Sequence, residues 1–162
     1  SVYQRFARCS RQGVWDRMFA ELARDADFEE VFIDSTIVRV HQHAAGAPKK
    51  TATKPLGEAG DSPQALPLLQ GLQPGALCAD KAYDTDTIIE HLTAEGIEAV
   101  IPPRRNRRVQ RPFDKHRYKS RNLVERFFCR IKQFRRIATR YDKLAARFAS
   151  FVAMVASVIW LA

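Results

Sequence analysis

Residues 76–101 read ALCADKAYDTDTIIEHLTAEGIEAVI, and the fold class turns on them. Ala76 to Ala79 is a short, wholly apolar run that reads as a buried strand ending at Asp80. Asp84 to Glu95 carries Ile88, Ile89 and Leu92 at helical spacing and is stopped by Gly96. Ile97 to Ile101 is a second strand, closed by Pro102-Pro103. A strand, a helix and a strand in that order favour parallel pairing through a right-handed crossover, so an α/β architecture is expected.

Upstream, Glu29 to Val40 holds Val31, Phe32, Ile33, Ile37 and Val38 around Asp34, which reads as a buried strand carrying a carboxylate. Between these strands, His41 to Pro67 is rich in Ala, Gly, Pro, Lys and Thr and shows neither strand nor helix period. A structureless connection of that length counts against a complete compact fold. Leu66 to Leu72 reads as a short helix closed by Gln73-Pro74-Gly75, and Val2 to Ala23 as two short helices broken at Gly13. Downstream come a basic loop, Arg104 to Arg117, a helix from about Ser120 to Arg136, and a last helix from about Asp142 to Leu161. The organisation expected is an N-terminal helical segment, 1–28, followed by an α/β domain, 29–162, with a loop at 41–67.

The 162 residues are 46% hydrophobic and 28% charged, enough apolar material for a core, which excludes a disordered or collagen-like chain. Cys9, Cys78 and Cys129 are far apart and form no Cys-x-x-Cys pair, so neither a disulfide framework nor a structural zinc site is suggested and a reducing cytosol is expected. Cys78 and Cys129 lie in apolar settings and read as buried packing residues. The longest run without charge, Phe148 to Ala162, is 15 residues, short of the ~20 that span a bilayer, and reads as a buried helix with no membrane role. Charge is divided unevenly: residues 1–100 hold 10 Lys/Arg against 15 Asp/Glu, residues 101–162 hold 17 against 3. Such a basic C-terminal third fits either a solvated face or a polyanion partner such as DNA. With only Asp114 interrupting Arg104, Arg105, Arg107, Arg108, Arg111, Lys115, Arg117 and Lys119, phosphate tracking is the favoured reading.

Three acidic residues occupy places where a plain surface charge is not the default. Asp34 follows three apolar strand residues, Asp80 ends the strand of Ala76 to Ala79, and Glu125 lies on a helix between Val124 and Arg126. Carboxylates at strand ends beside a parallel crossover, joined by one from a helix, suit a hard divalent cation. Taken singly, Asp80 reads equally as a turn cap and Glu125 as an ion-pair partner of Arg121. Tyr118, Glu125 and Lys132 are spaced by seven, which on one continuous helix is a drift of about 20° per step, and Arg121 falls on the same stripe. That stripe can bind a metal and grip phosphates, while Leu123, Phe127, Ile131 and Phe134 face the core. His41 and His43 lack a ligand cluster and read as exposed or DNA-facing.

These segments together resemble the DDE transposases of bacterial insertion sequences, in the insertion-sequence-five group with the Tyr-Arg-Glu-Lys signature. The resemblance is carried by Ile33-Asp34-Ser35-Thr36-Ile37-Val38-Arg39 with His41-Gln42-His43, by Ala79-Asp80-Lys81-Ala82-Tyr83-Asp84, by Ile101-Pro102-Pro103-Arg104-Arg105-Asn106, and by Arg121-Asn122-Leu123-Val124-Glu125-Arg126-Phe127-Phe128. It implies an RNase H-like catalytic core with flanking helices, in which Asp34, Asp80 and Glu125 are the catalytic and metal-binding triad for two Mg²⁺ ions, Mn²⁺ substituting. It implies DNA cleavage at element ends and strand transfer into target DNA, with Tyr118, Arg121, Lys132 and Lys81 joining Arg104, Arg105, Arg107 and Arg108 on the phosphates. A homo-oligomer, a bacterial cytoplasmic location and the absence of a membrane partner are expected with it.

The chain departs from that family in one place. The core needs a hairpin between the first two carboxylates, but only 45 residues separate Asp34 from Asp80, and Lys49 to Pro67 contains no apolar alternation to supply it. The first hairpin is therefore expected to be missing and the N-terminus, which opens inside a helical pattern, to be clipped. Two functions stay open: a metal-dependent transposase, or a catalytically inactive DNA-binding remnant of one.

Overall fold

The computed structural model describes residues 1–24, 28–36, 38–40 and 62–162. His41 to Asp61, and with it His41, His43 and the place of the expected hairpin deletion, lies outside the described residues. The elements in chain order are α1 (Val2–Arg11), α2 (Val14–Leu22), β1 (Glu30–Ile33), β2 (Arg39–Val40), α3 (Ser62–Leu69), β3 (Ala76–Ala79), α4 (Asp86–Ala94), β4 (Glu98–Val100), α5 (Lys115–Lys119), α6 (Asn122–Lys132), α7 (Arg135–Ala138), β5 (Thr139–Arg140) and α8 (Ala145–Leu161). A one-turn 3-10 helix, Lys81–Tyr83, follows β3. The described chain forms two compact units, one from residues 28–35 and 62–126, the other from 1–24, 36, 38–40 and 127–162.

The first unit is built on a three-stranded sheet in the order β1-β3-β4, parallel throughout. The strand, helix and strand of residues 76–101 are therefore a parallel βαβ unit, as their pattern predicts. Central β3 is buried on both faces, which is why it reads as an unbroken apolar run. Leu77 and Ala79 join Ile33, Leu69, Ile88 and Leu92 in the core beneath α3 and α4. Ala76 and Cys78 point the other way, with Val100, and are covered by Tyr118 of α5 and by Phe32. The edge strand β1 is shorter than the sequence suggests: it matches the four residues of β3 and ends at Ile33, so Asp34 lies just beyond it. As described, α3 runs Ser62–Leu69, so the chain is already helical four residues before its apolar pattern suggests.

The second unit is mainly helical. α1 and α2 meet at Gly13, whose φ of +64° is the left-handed conformation that glycine adopts without strain. Phe6 of α1 stacks on Trp15 and meets Phe151 edge-on, while Ile131, Ile137 and Val155 form a buried cluster with Phe127, Phe128 and Met154. The Arg136 guanidinium lies over the rings of Tyr3, Phe6 and Phe151 and is paired with the buried Asp142. β2 and β5 make a two-residue parallel pair.

Three expectations need correction here. The single helix from Ser120 to Arg136 is broken into α6 and α7, and Tyr118 belongs to the separate α5, so Tyr118 and Glu125 do not share one helix stripe. Leu123 and Phe134 are exposed rather than core, because Leu123 opens the first turn of α6 and Phe134 is the residue on which α7 begins. Cys129 is exposed as well: it stands two residues, about 200°, from the buried Ile131 and so on the opposite face of α6.

Candidate active site

Ile33 and Ala79 are register partners on neighbouring parallel strands, so the next residues, Asp34 and Asp80, leave the sheet side by side at its carboxyl edge. That edge is where open parallel sheets place their ligands. Asp34 is mostly buried; one carboxylate oxygen accepts from the Ser35 N–H at 2.8 Å and the other from Arg121 at 2.9 Å. Asp80 Oδ1 accepts from the Ala82 N–H at 2.8 Å and caps the one-turn helix Lys81–Tyr83. Glu125, half exposed in the first turn of α6, accepts from the other terminal nitrogen of Arg121. Both structural roles open from sequence, the cap at Asp80 and the ion pair at Glu125, are thus present.

Arg121 is the cation that these acids share. Burial works against its charge, but Asp34 above all, then Tyr118, Glu125 and Asp80, hold its pKa above the ordinary arginine value. The guanidinium also lies 5.9 Å from the centre of the Tyr118 ring. Tyr118 in turn packs on the sheet and against Phe113, ring centres 5.5 Å apart. The sheet, α5 and α6 thereby converge on one guanidinium. Among the described residues no three Asp, Glu, His or Cys side chains close around a single point as metal ligands. The donor chemistry, three hard carboxylates with no soft ligand, fits a divalent cation, and two of them already face one positive charge.

The basic loop after β4 is largely turned inward. Arg104 gives its backbone N–H to Asp84 at 2.7 Å and its guanidinium to the Lys81 and Ala82 carbonyls at 3.2 and 2.7 Å. Arg107 donates to Asp84 at 2.8 Å and to Asp86 at 2.6 Å, and Arg111 donates to Asp84 as well. Arg117 pairs with Glu30 and Glu98. Of the loop arginines singled out from sequence, Arg104, Arg105 and Arg108 are exposed with no ion pair among the described residues, Arg104 with its guanidinium on the two carbonyls and Arg105 and Arg108 with no side-chain partner; Lys81 is exposed likewise. Lys132, at the end of α6, belongs to the helical unit.

Asp84 is the residue that sequence reading passed over. Its side chain is fully buried, and although burial alone would raise its pKa, the Arg104 N–H and the Arg107 and Arg111 guanidinium groups hold it below the usual carboxylate range. The signal was present: a carboxylate at the end of Asp80-Lys81-Ala82-Tyr83-Asp84, in a chain whose next loop is crowded with arginine, invites a buried pair.

Comparison with known proteins places these residues in context. Residues 77–162 match a family model described as a transposase DDE domain. The chain is 38% identical over 123 residues to a putative transposase for insertion sequence element IS6501 from Brucella ovis, an alignment covering 73% of this chain and 92% of that protein. It is 60% identical over 47 residues to the uncharacterized protein y4sN of Sinorhizobium fredii, covering 29% of this chain and 38% of that one. No solved structure matches the chain significantly. The family match includes Asp80 and Glu125 and begins after Asp34.

Proposed function

Because the chain belongs to the DDE transposase family of bacterial insertion sequences, we propose that Asp34, Asp80 and Glu125 are its catalytic carboxylates, on an RNase H-like core of the insertion-sequence-five type. The observation that carries this reading is the adjacent exit of Asp34 and Asp80 from paired strands, with Glu125 joined to Asp34 through one guanidinium. Asp34, Asp80 and Glu125 would hold divalent magnesium, or manganese in its place. When bound, such ions supply activation of the attacking water or 3′-hydroxyl and stabilisation of the leaving oxygen in phosphodiester displacement.

The chain's own residues do the rest. The strand ends fix Asp34 and Asp80, and Asp80 is held further by its cap on the following turn. Arg121 lies against Asp34 and Glu125, with the Tyr118 ring beside its guanidinium, and the two orient a DNA phosphate there; Lys132 is a further phosphate ligand, and Arg105, Arg108 and Lys81 follow the DNA backbone. Element ends and target DNA are the proposed substrates, with two copies of the chain joining two ends. A second reading, a DNA-binding remnant without catalysis, draws on the engagement of Asp34 and Glu125 by Arg121, which leaves the carboxylates as an ion pair.

One experiment separates the two. Purified protein is incubated with a supercoiled plasmid carrying the element ends and ~10 mM Mg²⁺ or Mn²⁺, beside Asp34→Ala and Asp80→Ala. Nicking that needs the metal and is lost in both variants is expected. DNA binding that survives EDTA and both substitutions, with no nicking in any sample, establishes the remnant instead.

A further inference from the structure

We infer that Asp84 is a positioning residue for DNA: its buried carboxylate folds the 104–111 loop so that Arg105 and Arg108 are presented together to the phosphate backbone. The inference rests on the reading of DNA as the partner, and goes beyond it in naming what arranges the contact surface.

The geometry is a reciprocal brace between two segments. Asp84 closes the turn that Asp80 opens, and it receives three donors from the loop: the Arg104 N–H, the Arg107 Nε and a terminal nitrogen of Arg111. Returning across the same gap, the Arg104 guanidinium binds the carbonyls of Lys81 and Ala82, inside the turn capped by Asp80. The loop then ties itself: Arg107 N–H donates to the Arg104 carbonyl at 3.0 Å, and the Gln110 amide donates to the carbonyls of Arg104 and Arg107 at 3.1 and 3.0 Å. Every other basic residue from Arg104 to Arg111 is thus consumed by this brace. Arg105 and Arg108, three residues apart, are left exposed and unpaired among the described residues.

An alternation of this kind has a physical rationale. A loop with five arginines repels itself, and without an internal counter-charge it would spread rather than hold any guanidinium in place. A fully desolvated carboxylate with strong charge-assisted partners supplies that counter-charge and a fixed geometry. Because the loop is braced on the turn after Asp80, phosphates held by Arg105 and Arg108 are placed relative to the strand-end carboxylates.

The test is a double-mutant cycle on DNA affinity. Binding of a labelled duplex is measured from about 50 to about 200 mM salt for the wild type, Asp84→Ala, the pair Arg105→Gln/Arg108→Gln, and all three together, with melting curves for each. In the wild-type background the arginine pair is expected to lower the slope of log affinity on log salt by about 2, the loss of two phosphate contacts. In the Asp84→Ala background the same pair is expected to change it by less than half as much, since the guanidinium groups are no longer held to their places. Asp84→Ala frees Arg107 and Arg111, so mere charge counting predicts a steeper slope and unaltered cost for the pair; that outcome overturns the inference. If Asp84→Ala does not melt cooperatively, Asp84→Asn, which keeps the carbonyl acceptor, replaces it in the same cycle, and additivity there overturns the inference too. Failure of the wild type to bind DNA at all removes the underlying reading, a result distinguishable from additivity.

Discussion

At the residue scale, opposite environments give neighbouring groups opposite chemistry. The Asp84 carboxylate, buried but met by arginines, is held below the usual range, so its folded pKa lies under its unfolded one. The stability it contributes is present above the ordinary aspartate pKa of about 3.9 and is lost as pH falls through the lower folded value. Urea titrations from pH 6 down to pH 2 are expected to show wild-type stability declining at the acid end, with Asp84→Asn less stable at pH 6 and flatter in its dependence; equal slopes for the two would refute this. Cys78 has the reverse problem. Burial, then the nearby charge of Glu30, with Arg117 opposing and Glu98 and Asp114 adding, pushes its thiol up to about 11. With no thiolate at neutral pH it is expected to resist an aromatic disulfide reagent until the protein unfolds, whereas exposed Cys129 reacts at once. Counting thiols released from native Cys129→Ser checks this, since that variant loses the fast phase and gains no other from Cys78.

At the element scale, the βαβ unit depends on how α4 starts. Thr85 accepts from the Ile88 N–H and so satisfies one of the unpaired donors of the first turn. Thr85→Ala is expected to cost about 1 kcal/mol in urea unfolding and Thr85→Asp to recover most of it, a substitution that keeps the acceptor. This unit is also where the sequence was most legible. β3 and α4 are local, strongly patterned and bounded by Gly75 and Gly96, so period and punctuation suffice to find them. Asp34 and Asp80 were legible for the same reason, as polar residues closing apolar runs. The breaks around α5, α6 and α7 were not, because Tyr118 is recruited to the sheet and Phe134 starts a new turn, both tertiary events with no local signature. Nor was the fate of the arginine loop: charge patterning cannot tell a guanidinium bound for phosphate from one bound for Asp84, 23 or 27 residues away. The exposure of Cys129 was within reach, had its phase relative to Ile131 been weighed over the apolarity of its neighbours.

At the scale of the whole molecule, the same pairing changes what the net charge means. The 17 basic residues after position 100 suggest a very steep electrostatic response to DNA. Arg107, Arg111, Arg117 and Arg121 are engaged by Asp84, Asp86, Glu30, Glu98 and Asp34 of the first hundred residues, and Arg121 and Arg136 by Glu125 and Asp142, so the charge of these five arginines is already offset within the chain. In the sheet-bearing unit before α6, Lys81, Arg105, Arg108, Lys115 and Lys119 remain exposed with their side chains unpaired among the described residues. If those five are the phosphate ligands, log affinity falls with log salt at a slope of about −4.5, roughly a 500-fold loss between about 50 and 200 mM. Fluorescence anisotropy with a duplex of fixed length across that range measures it. A slope near −9 or steeper would mean that the paired arginines leave their carboxylates for DNA, and the loop geometry described above would then belong to the free protein alone. A slope near −4.5 that falls by about 1 in Arg108→Gln and stays unchanged in Arg107→Gln would show that the internal acids have already selected which arginines meet DNA.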